Sequence, residues 1–415
     1  MNEPQRIATG ACIVGGGPCG MMLGVLLARA GVDVVVLEKY PDFFRDFRGD
    51  TIHPSTLELL YELGWLDEFL KLPHQELVQI GVTIAGQTVK VADCSHLPTH
   101  CKFVGLMPQW DFLNFLADRG RKYPTFHLLM QTAGTGLIER NGRVTGVRAA
   151  GPHGEIEIAA KLVVGTDGRH STVRALADLE VEDLGAPMDV LWMRISKHPG
   201  EETQRLGTVT TGHLMVTLDR GDYWQCAFII AKGTYETLRA QGIEALQRQI
   251  VETIPTFADR IGEIGDWSKV SMLEVRVDRL KQWHKPGLLC IGDAAHAMSP
   301  IGGVGINLAI QDAVAAANVL AEPMAAGETP TDADLQRIVD RRMFPTNVTQ
   351  DFPIFIQNRA IEPVLHGTEI DRPPLAARLL DEFPLLRRLP ARLIGLGARR
   401  ERIHTRDAFA SPHSG

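Results

Sequence analysis

Apolar and polar positions along the first forty residues follow the order strand, turn, helix, strand. In ACIVGGGPCGMMLGVLLARAGVDVVVLEKY, residues 11–40, a short apolar run leads into a glycine-rich turn, and a stretch of apolar and small residues long enough for a helix follows. A second apolar run then ends at Glu38 and Lys39. This pattern predicts a β-α-β unit.

Helical spacing of apolar residues returns in two later segments. The first, HPSTLELLYELGWLDEFL (53–70), has Ser55 or Thr56 near its start as a candidate cap. The second, PQWDFLNFLADRGRKYP (108–124), is expected to end at its last proline, because proline cannot continue a helix. Residues 78–105, which lie between the two segments, have an irregular, strand-like pattern.

Strand patterns dominate from His127 onward. Asn141 and Gly142 separate two such runs and predict a hairpin. The alternation of apolar and polar residues across 187–231 predicts an antiparallel sheet that is inserted between two parts of the first domain. A helix is expected after this sheet, at about 236–253.

Together these elements predict an α/β (α+β) fold with a Rossmann-like nucleotide-binding domain, an inserted antiparallel-sheet substrate domain and a C-terminal helical segment. The nucleotide-binding domain resumes with the apolar run GLLCIGD and the small-residue helix GINLAIQDAVAAANVLAEPM. The predicted boundaries are 1–77, 101–180 and 278–345 for the nucleotide-binding domain, 78–100 and 181–277 for the substrate domain, and 346–415 for the helical segment.

Composition narrows the class of protein. The 415 residues are 45% hydrophobic and 22% charged, as in a globular protein with large cores, and the formal net charge of -7 provides no positive field for nucleic acid. The six cysteines are scattered, as in a protein kept in a reducing compartment. With no signal-peptide pattern and no uninterrupted apolar run of about 18 residues, we expect a cytoplasmic protein.

A nucleotide-binding motif occupies the turn of the β-α-β unit. Gly15, Gly17 and Gly20 form G-x-G-x-x-G between the first strand and its helix, and Glu38 ends the second strand. The glycines allow a tight turn and the close approach of a pyrophosphate, which the helix N-terminus attracts. A carboxylate at Glu38 accepts ribose hydroxyls and repels a 2'-phosphate, so FAD or NAD is favoured over NADP here.

Two later segments separate FAD from NAD. VVGTDGRHSTVR (163–174) and LLCIGDAAHAMSPIGGVGINLAIQDA (288–313) resemble the D-G and G-D motifs of the class A, single-component flavoprotein monooxygenases, the family of p-hydroxybenzoate hydroxylase. The resemblance covers nearly the whole chain, with three motifs in the family's order. It implies bound FAD and a p-hydroxybenzoate hydroxylase-like fold.

The third motif places a carboxylate before a loop with few side chains. Asp293 ends an apolar strand, and the following loop contains Pro300, Gly302, Gly303 and Gly305, so a flat ring system can rest on its backbone. The helix behind the loop directs its positive end at the ring and favours negative charge there. By resemblance, Asp293 binds near the ribose and pyrophosphate, and Gly305, Ile306 and Asn307 contact the isoalloxazine edge.

Further cofactor residues are predicted in and around the second motif. Asp167 and Gly168 end a strand, and Arg174 follows in a turn that Ser171 can cap, leaving the arginine free to meet phosphate. The resemblance places this motif beside the FAD pyrophosphate and NAD(P)H. The predicted cofactor-binding residues are Gly15, Gly17, Pro18, Gly20, Glu38, Lys39, Arg48 (with Arg45 as its competitor), Gln109, Asp167, Gly168, Arg174, Asp293, Pro300, Gly303, Gly305, Ile306 and Asn307.

The resemblance implies an FAD-dependent aromatic hydroxylase. In that family NAD(P)H reduces the flavin, O2 adds at C4a, and the C4a-hydroperoxyflavin transfers an oxygen atom to an electron-rich ring. No second G-x-G-x-x-G follows a strand, so NAD(P)H is expected to bind only transiently. The expected partners are a small aromatic, polyketide or quinone-type substrate and O2, for a monomer or homodimer.

Candidates on the substrate side come from the third motif and from the inserted sheet. Pro300 of the third motif and His213, Tyr223 and Gln225 of the inserted sheet are the predicted catalytic residues, but a one-residue change in strand phase moves each sheet residue between pocket and surface. Two rival functions share the scaffold. They are a reductase or dehydrogenase of the prenyl-reductase type, and a flavin-holding protein without catalysis.

Two other patterns carry less weight. CSHLPTHC (94–101) contains cysteines and histidines, but Pro98 prevents them from sharing a helical face, so we predict no metal site. The arginine-rich stretch 384–406 alternates with leucine and isoleucine, as membrane-surface helices do. We expect its apolar face to pack on the protein and its arginines to face solvent, and we expect no membrane partner.

Overall fold

The structure is a computed structural model that describes residues 5–44, 51–201 and 206–410. Within these residues the strands are Gln5–Val14 (β1), Val34–Leu37 (β2), Thr51–Ile52 (β3), Gln75–Leu77 (β4), Gln79–Ile84 (β5), Gln87–Asp93 (β6), Val104–Leu106 (β7), Phe126–Leu129 (β8), Ala133–Arg140 (β9), Arg143–Gly151 (β10), Gly154–Gly165 (β11), Val181–Asp183 (β12), Met188–Ser196 (β13), Gly207–Thr210 (β14), His213–Asp219 (β15), Tyr223–Ala231 (β16), Ser271–Leu273 (β17), Asp278–Leu280 (β18), His284–Lys285 (β19) and Leu288–Cys290 (β20).

The described residues also form a series of α-helices, the first of which begins in the glycine-rich turn. They are Pro18–Arg29 (α1), Pro54–Glu62 (α2), Leu66–Phe69 (α3), Gln109–Gly120 (α4), Thr172–Leu176 (α5), Tyr235–Ala240 (α6), Ile243–Thr253 (α7), Gly305–Ala325 (α8), Asp332–Ile356 (α9), Glu362–Leu365 (α10), Leu375–Glu382 (α11) and Arg388–Leu396 (α12). A π-helical turn, Gln357–Ile361, joins α9 to α10.

The first sheet is the predicted nucleotide-binding sheet. Its order is β19-β20-β11-β1-β2-β8, with the β9-β10 hairpin attached through β11, and β20, β11, β1, β2 and β8 are parallel. Both β2 and β20 are buried along their whole length, as parallel strands covered on both faces are. The predicted hairpin is confirmed, and its turn residues Asn141 and Gly142 have φ values of 53° and 75°.

The second sheet has the order β17-β13-β16-β15-β14-β5-β6 and is antiparallel except for the β14-β5 pair. Helices α6 and α7 cover one face, where Leu246 and Ile250 pack with Met193, Met215 and Phe228. The sequence pattern predicts one helix at about 236–253, but the structure has two. Gly242, with φ 88°, separates them in a left-handed conformation that favours glycine.

Helix α8 forms the centre of the nucleotide-binding domain. It packs against α1 and α9. In length and composition the segment Ile301–Ala325 passes for a membrane-spanning helix, but 78% of its most apolar window is buried inside the protein. Such burial is typical of the core helix of a globular protein.

The C-terminal helices are only partly packed. Helix α9 is continuous across 345/346, the boundary predicted for the helical segment. In α12 and the segment before it, Ala391 and Leu396 are buried, whereas Leu385 and Leu389 are 69% and 71% exposed. The expected packing of the whole leucine face on the protein is therefore found only for the second half of α12.

Candidate functional site

The carboxyl ends of four neighbouring parallel strands lie level with one another. Val14 of β1 is the register partner of Gly165 of β11 and of Leu37 of β2, and Gly165 is in turn the partner of Cys290 of β20. The loops after these strands emerge side by side at one sheet edge, where open α/β sheets bind ligands. These loops carry the predicted residues Gly15, Glu38, Asp167 and Asp293.

The glycine-rich turn has the shape that a pyrophosphate requires. A Cβ atom on Gly15 would lie 2.5 Å from the carbonyl oxygen of Thr166, and one on Gly20 would overlap the Gly15 carbonyl. Gly17 differs, because no atom of the described residues lies within 4 Å of the position of its Cβ. It precedes Pro18, the first residue of α1, and in the part of the chain that the structure describes no side chain caps this helix. The uncapped N–H groups and open approach fit a dinucleotide pyrophosphate.

Glu38 is held at the mouth of this turn. Its Oε2 accepts a hydrogen bond of 3.2 Å from the Gly16 N–H, its Oε1 accepts one of 3.0 Å from the Tyr40 N–H, and the residue is 8% exposed. The neighbouring Lys39 is exposed, with Nζ 5.0 Å from the centroid of the Tyr40 ring. The carboxylate is thus fixed beside the N-terminus of α1, as ribose recognition requires.

The second motif forms the predicted capped turn. Ser171 Oγ accepts a hydrogen bond of 3.0 Å from the Arg174 N–H, and it donates one of 2.5 Å to Asp167 Oδ1. Asp167 Oδ2 also accepts a bond of 2.7 Å from the Thr172 N–H. Gly168 lies in the left-handed region, and none of the residues in 5–44, 51–201 and 206–410 has an atom within 4 Å of its Cβ position. The backbone at Gly168 is therefore open to a ligand.

Arg174 is not free to meet phosphate, in contrast to the expectation from the sequence. Its Nη1 and Nη2 donate to the two oxygens of Asp278, each at 3.0 Å, and both side chains are buried. The bidentate pair neutralises the guanidinium and joins α5 to β18. Arg169, which sequence reasoning missed, lies beside the predicted ribose ligand Asp293. Its Nη2 is 3.7 Å from Asp293 Oδ2, and both side chains are partly exposed.

The third motif is braced from behind by Asp312 of α8. Asp312 Oδ2 accepts a hydrogen bond of 3.1 Å from the Gly292 N–H and lies 2.5 Å from His296 Nε2. Burial acts to raise the pKa of Asp312, but the charge interactions and hydrogen bonds with His296 and Arg342 together outweigh it and hold this pKa below its ordinary value. The loop that presents Asp293 is therefore held by a buried anion. The spacing of residues in the third motif did not indicate that Asp312 would contact this loop.

The loop Pro300–Gly303, called here the 300–303 loop, turns the chain into α8. Gly302 and Gly303 have φ values of 75° and 62°, in the left-handed region. The carbonyl oxygen of Gly303 accepts a hydrogen bond of 3.0 Å from Thr51 Oγ1 and lies 3.0 Å from His53 Nε2. The predicted flat, glycine-lined surface is therefore fixed from the side of β3 and α2.

The first turn of α8 is held from the same side. Asn307 Oδ1 accepts hydrogen bonds from Ser55 Oγ at 2.7 Å and Thr56 Oγ1 at 2.9 Å. Neither hydroxyl caps α2, as the sequence pattern suggested, because that helix begins at Pro54 and both side chains face α8. With its oxygen occupied, the Asn307 amide presents its N–H groups as donors. Gly305 and Ile306, which precede it, are half-buried.

For two predicted cofactor residues, Arg48 and Gln109, the structure gives little information. Arg48 and its competitor Arg45 lie outside the described residues. Gln109 is the first residue of α4 and is half-buried. Their contacts with a cofactor stay predictions.

Two of the sheet candidates share the inner face of the second sheet, the face turned away from α6 and α7. Tyr223, Gln225 and Ala227 alternate along β16, and Ala227 packs in one apolar cluster with Ile301 of the 300–303 loop. Arg220 donates through Nε to Gln225 Oε1 at 3.0 Å. The inner face thus places Tyr223 and Gln225 on the same side as Pro300 and its loop.

His213 lies on the opposite face. Its ring centroid is 5.7 Å from that of Phe228, which packs under α7, and its Nε2 is 3.6 Å from Glu252 Oε2 of α7. The structure therefore does not bring His213 together with Tyr223 and Gln225. Because every residue in the middle of β16 is buried, the polarity pattern did not reveal which face each side chain takes.

Comparison with known proteins identifies the family. The family model described as "FAD binding domain" matches residues 8–342, which include all three motifs. The chain belongs to this family, and it is a class A flavoprotein monooxygenase that uses FAD and NAD(P)H.

Individual relatives agree with this class. The chain is 34% identical over 326 residues to the 6-methylpretetramide 4-monooxygenase of Streptomyces rimosus, covering 77% of this chain and 78% of that protein. It is 26% identical over 346 residues to the protoasukamycin 4-monooxygenase of Streptomyces nodosus subsp. asukaensis, covering 80% and 84%. The crystal structure of p-nitrophenol 4-monooxygenase from Pseudomonas putida has a TM-score of 0.73 at 20% identity, covering 95% of this chain and 100% of that chain, and supports the same fold.

Proposed function

We propose that this monooxygenase hydroxylates an electron-rich ring of a polycyclic aromatic polyketide or a related phenol. The observation that carries the proposal is the level alignment of the β1, β11 and β20 ends, which brings Gly15, Asp167 and Asp293 to one sheet edge. The name of the Streptomyces rimosus relative, a 6-methylpretetramide 4-monooxygenase, supports a polyketide-type substrate.

The overall reaction balances with one reductant and one O2. NAD(P)H gives a hydride and a proton is taken up, one oxygen atom enters a ring C–H bond as a hydroxyl, and the other leaves as water. When bound, FAD supplies the reductive activation of O2 and the transfer of one oxygen atom. The protein must bind, orient and exclude water around that chemistry.

We assign roles to the residues that surround the 300–303 loop. Gly17 and the N-terminus of α1 would hold the pyrophosphate, and Glu38 the adenosine ribose. The backbone of the 300–303 loop and the Asn307 amide would hold the isoalloxazine. Asp293, with Arg169 nearby, would bind on the ribityl side.

Substrate would lie between the 300–303 loop and the inner face of the second sheet. Ile301 packs there with Ala227 and Ile229, so the sheet provides an apolar wall close to the loop. Gln225 and Tyr223 add polar groups on that wall, and Pro300 precedes Ile301 in the loop that packs against it. An aromatic ring fits such a combination of apolar surface and few polar groups.

The six cysteines are buried and unpaired, which supports a cytoplasmic enzyme.

We propose that the enzyme acts as a monomer or homodimer. Sedimentation of the purified protein at several concentrations tests this part of the proposal, and a mass above that of a dimer would contradict it.

The decisive experiment measures oxygen incorporation. The purified protein is expected to carry yellow FAD and to oxidise NADPH or NADH faster when a phenol or polycyclic phenol is added under 18O2, with one labelled atom per product. Matched aromatic compounds without the electron-donating hydroxyl are the control. Stimulated NAD(P)H oxidation without a labelled product would contradict the hydroxylase and favour a reductase. A colourless protein that refuses FAD would contradict both.

A further inference from the structure

His53 joins two parts of the chain that are far apart in sequence. Its Nδ1 lies 2.8 Å from the carbonyl oxygen of Ile394, and its Nε2 lies 3.0 Å from the carbonyl oxygen of Gly303. The residue is 1% exposed, so water does not compete for these contacts. Because both partners are carbonyl oxygens, which only accept, the neutral imidazole donates to one of them through its single N–H and contacts the other with its second ring nitrogen. One side chain therefore joins α12 and the 300–303 loop.

Neither carbonyl group lies in the interior of a helix or strand. Ile394 is in the last turn of α12, which ends at Leu396, so its carbonyl is one of the four that a helix leaves without an intrahelical N–H. Gly303 is in the loop before α8, where its carbonyl also accepts a bond from Thr51 Oγ1. Loss of the imidazole would leave buried acceptors with fewer partners, which is costly.

Close packing accompanies the bridge. A Cβ atom on Gly395 would lie 2.8 Å from Leu97 Cδ1 and 3.3 Å from Pro54 Cγ. Glycine at this position therefore lets α12 approach the start of α2, directly beside His53. The close approach of the Gly395 backbone to α2 and the imidazole of His53 therefore hold α12 at the same place.

Helix α12 also contacts both sides of the proposed substrate site. The Ile394 side chain packs against Met298 and Val304, which flank the 300–303 loop. The buried Leu396 belongs to a cluster with Trp192 and Val216 of the second sheet. Helix α12 therefore spans from the loop to the sheet, as a side wall between them.

We infer that His53 is a positioning residue that fixes α12 to the 300–303 loop and so closes the wall of the substrate site against water. The inference rests on the proposed function, because the loop is taken to carry the isoalloxazine. It does not make His53 a proton donor to substrate. Its effect is on the geometry and the dryness of the site, which determine how much reduced flavin yields product rather than hydrogen peroxide.

The test compares His53→Phe, which keeps a ring and removes both ring nitrogens, with His53→Gln, whose amide can still donate. Hydrogen exchange is measured by mass spectrometry on the purified proteins. His53→Phe is expected to raise exchange about tenfold in peptides of α12 and of the first turn of α8, since a lost hydrogen bond of about 1.4 kcal/mol corresponds to a factor of ten. His53→Gln is expected to restore part of the protection.

A matched control is His284→Phe, because His284 is also buried but lies on β19 and contacts Gln336 of α9. It should leave exchange in α12 unchanged. Unchanged α12 exchange in His53→Phe, or an equal rise across the whole protein, would overturn the inference.

A second measurement links the bridge to the flavin. The fraction of NAD(P)H oxidation that appears as hydrogen peroxide should rise at least twofold in His53→Phe, return towards the parent value in His53→Gln, and stay unchanged in His284→Phe. An unchanged fraction would contradict the role in closing the site. Failure of every variant and the parent to bind FAD would contradict the proposed function, and the exchange result would still report on the bridge.

Discussion

Arg342 of α9 donates a hydrogen bond of 2.7 Å from Nε to Oδ1 of Asp312 in α8, and neither side chain is exposed to solvent. Arg342 Nη1 also lies 3.2 Å from Oε1 of Glu401, a buried residue of the C-terminal tail. Through His296, Asp312 extends this chain of contacts to the third motif. A buried ion-pair network thus connects the tail to the loop that carries Asp293.

Breaking this network from one side should be costly. We expect Arg342→Met to lower the free energy of unfolding by about 3–5 kcal/mol, because it leaves the Asp312 and Glu401 carboxylates buried with less compensating charge. Urea unfolding of the FAD-free protein, followed by circular dichroism, measures the change.

The matched control is Arg337→Met on the same helix. Arg337 is exposed and lies 3.4 Å from Asp334, so its loss should change stability by no more than about 0.5 kcal/mol. Similar losses in both variants would mean that the buried network does not stabilise the fold as argued.

Two glycines of the first motif should separate folding from FAD binding. In Gly20→Ala the new Cβ would overlap the Gly15 carbonyl, so we expect a loss of stability of about 1–3 kcal/mol together with weaker FAD binding. In Gly17→Ala the new Cβ meets no atom of the described residues within 4 Å, and φ is -74°, so stability should stay within about 0.5 kcal/mol.

FAD binding is nevertheless expected to weaken at least tenfold in Gly17→Ala, since the Cβ would take space that the pyrophosphate needs. Quenching of flavin fluorescence on titration into the FAD-free protein measures the affinity. Full FAD affinity in Gly17→Ala would refute the assignment of the pyrophosphate to this turn.

Local patterns explain why much of the fold was predictable. The β-α-β unit and the hairpin at Asn141 and Gly142 depend on residues that are neighbours in sequence. The three motifs also lie directly after strands, so their meeting at one sheet edge follows from the parallel order of β1, β11 and β20.

Local sequence patterns did not predict contacts between residues that are far apart in the chain. His53 and Ile394 are 341 positions apart, and Arg174 and Asp278 are 104 apart. Nothing in the turn that carries Arg174 indicates a buried carboxylate from another strand, so the arginine seemed available to phosphate. The face of His213 was equally hidden, because buried and half-buried residues do not alternate regularly along β15.

Substitutions on the two faces of the second sheet should change the kinetics differently. Gln225→Leu removes a polar group from the inner face and its hydrogen bond with Arg220, so we expect kcat for product formation to fall about tenfold. His213→Leu changes the face under α7 and should alter kcat less than twofold. Labelled product formed under 18O2 is the measurement. A larger loss in His213→Leu than in Gln225→Leu would reverse our assignment of the faces.

Stability in mild acid should depend on His53. Burial lowers the pKa of His53 below its ordinary value of about 6.5, although the hydrogen bonds with Ile394 and Gly303 act in the opposite direction. The unfolded chain therefore binds a proton at a pH where the folded chain does not. By linkage, this residue makes the folded state lose stability as pH falls from about 6.5 to the folded pKa, and the loss stops below that pKa.

His53→Gln has no proton to bind, so its free energy of unfolding should fall less than that of the parent between pH 7 and pH 5. The comparison cancels the contributions of the other histidines, which both proteins share. Urea unfolding at four pH values gives the two curves, and His284→Phe provides a control for losing any buried histidine. Parallel curves for the parent and His53→Gln would show that His53 titrates alike in the folded and unfolded chains, contrary to the buried bridge described above.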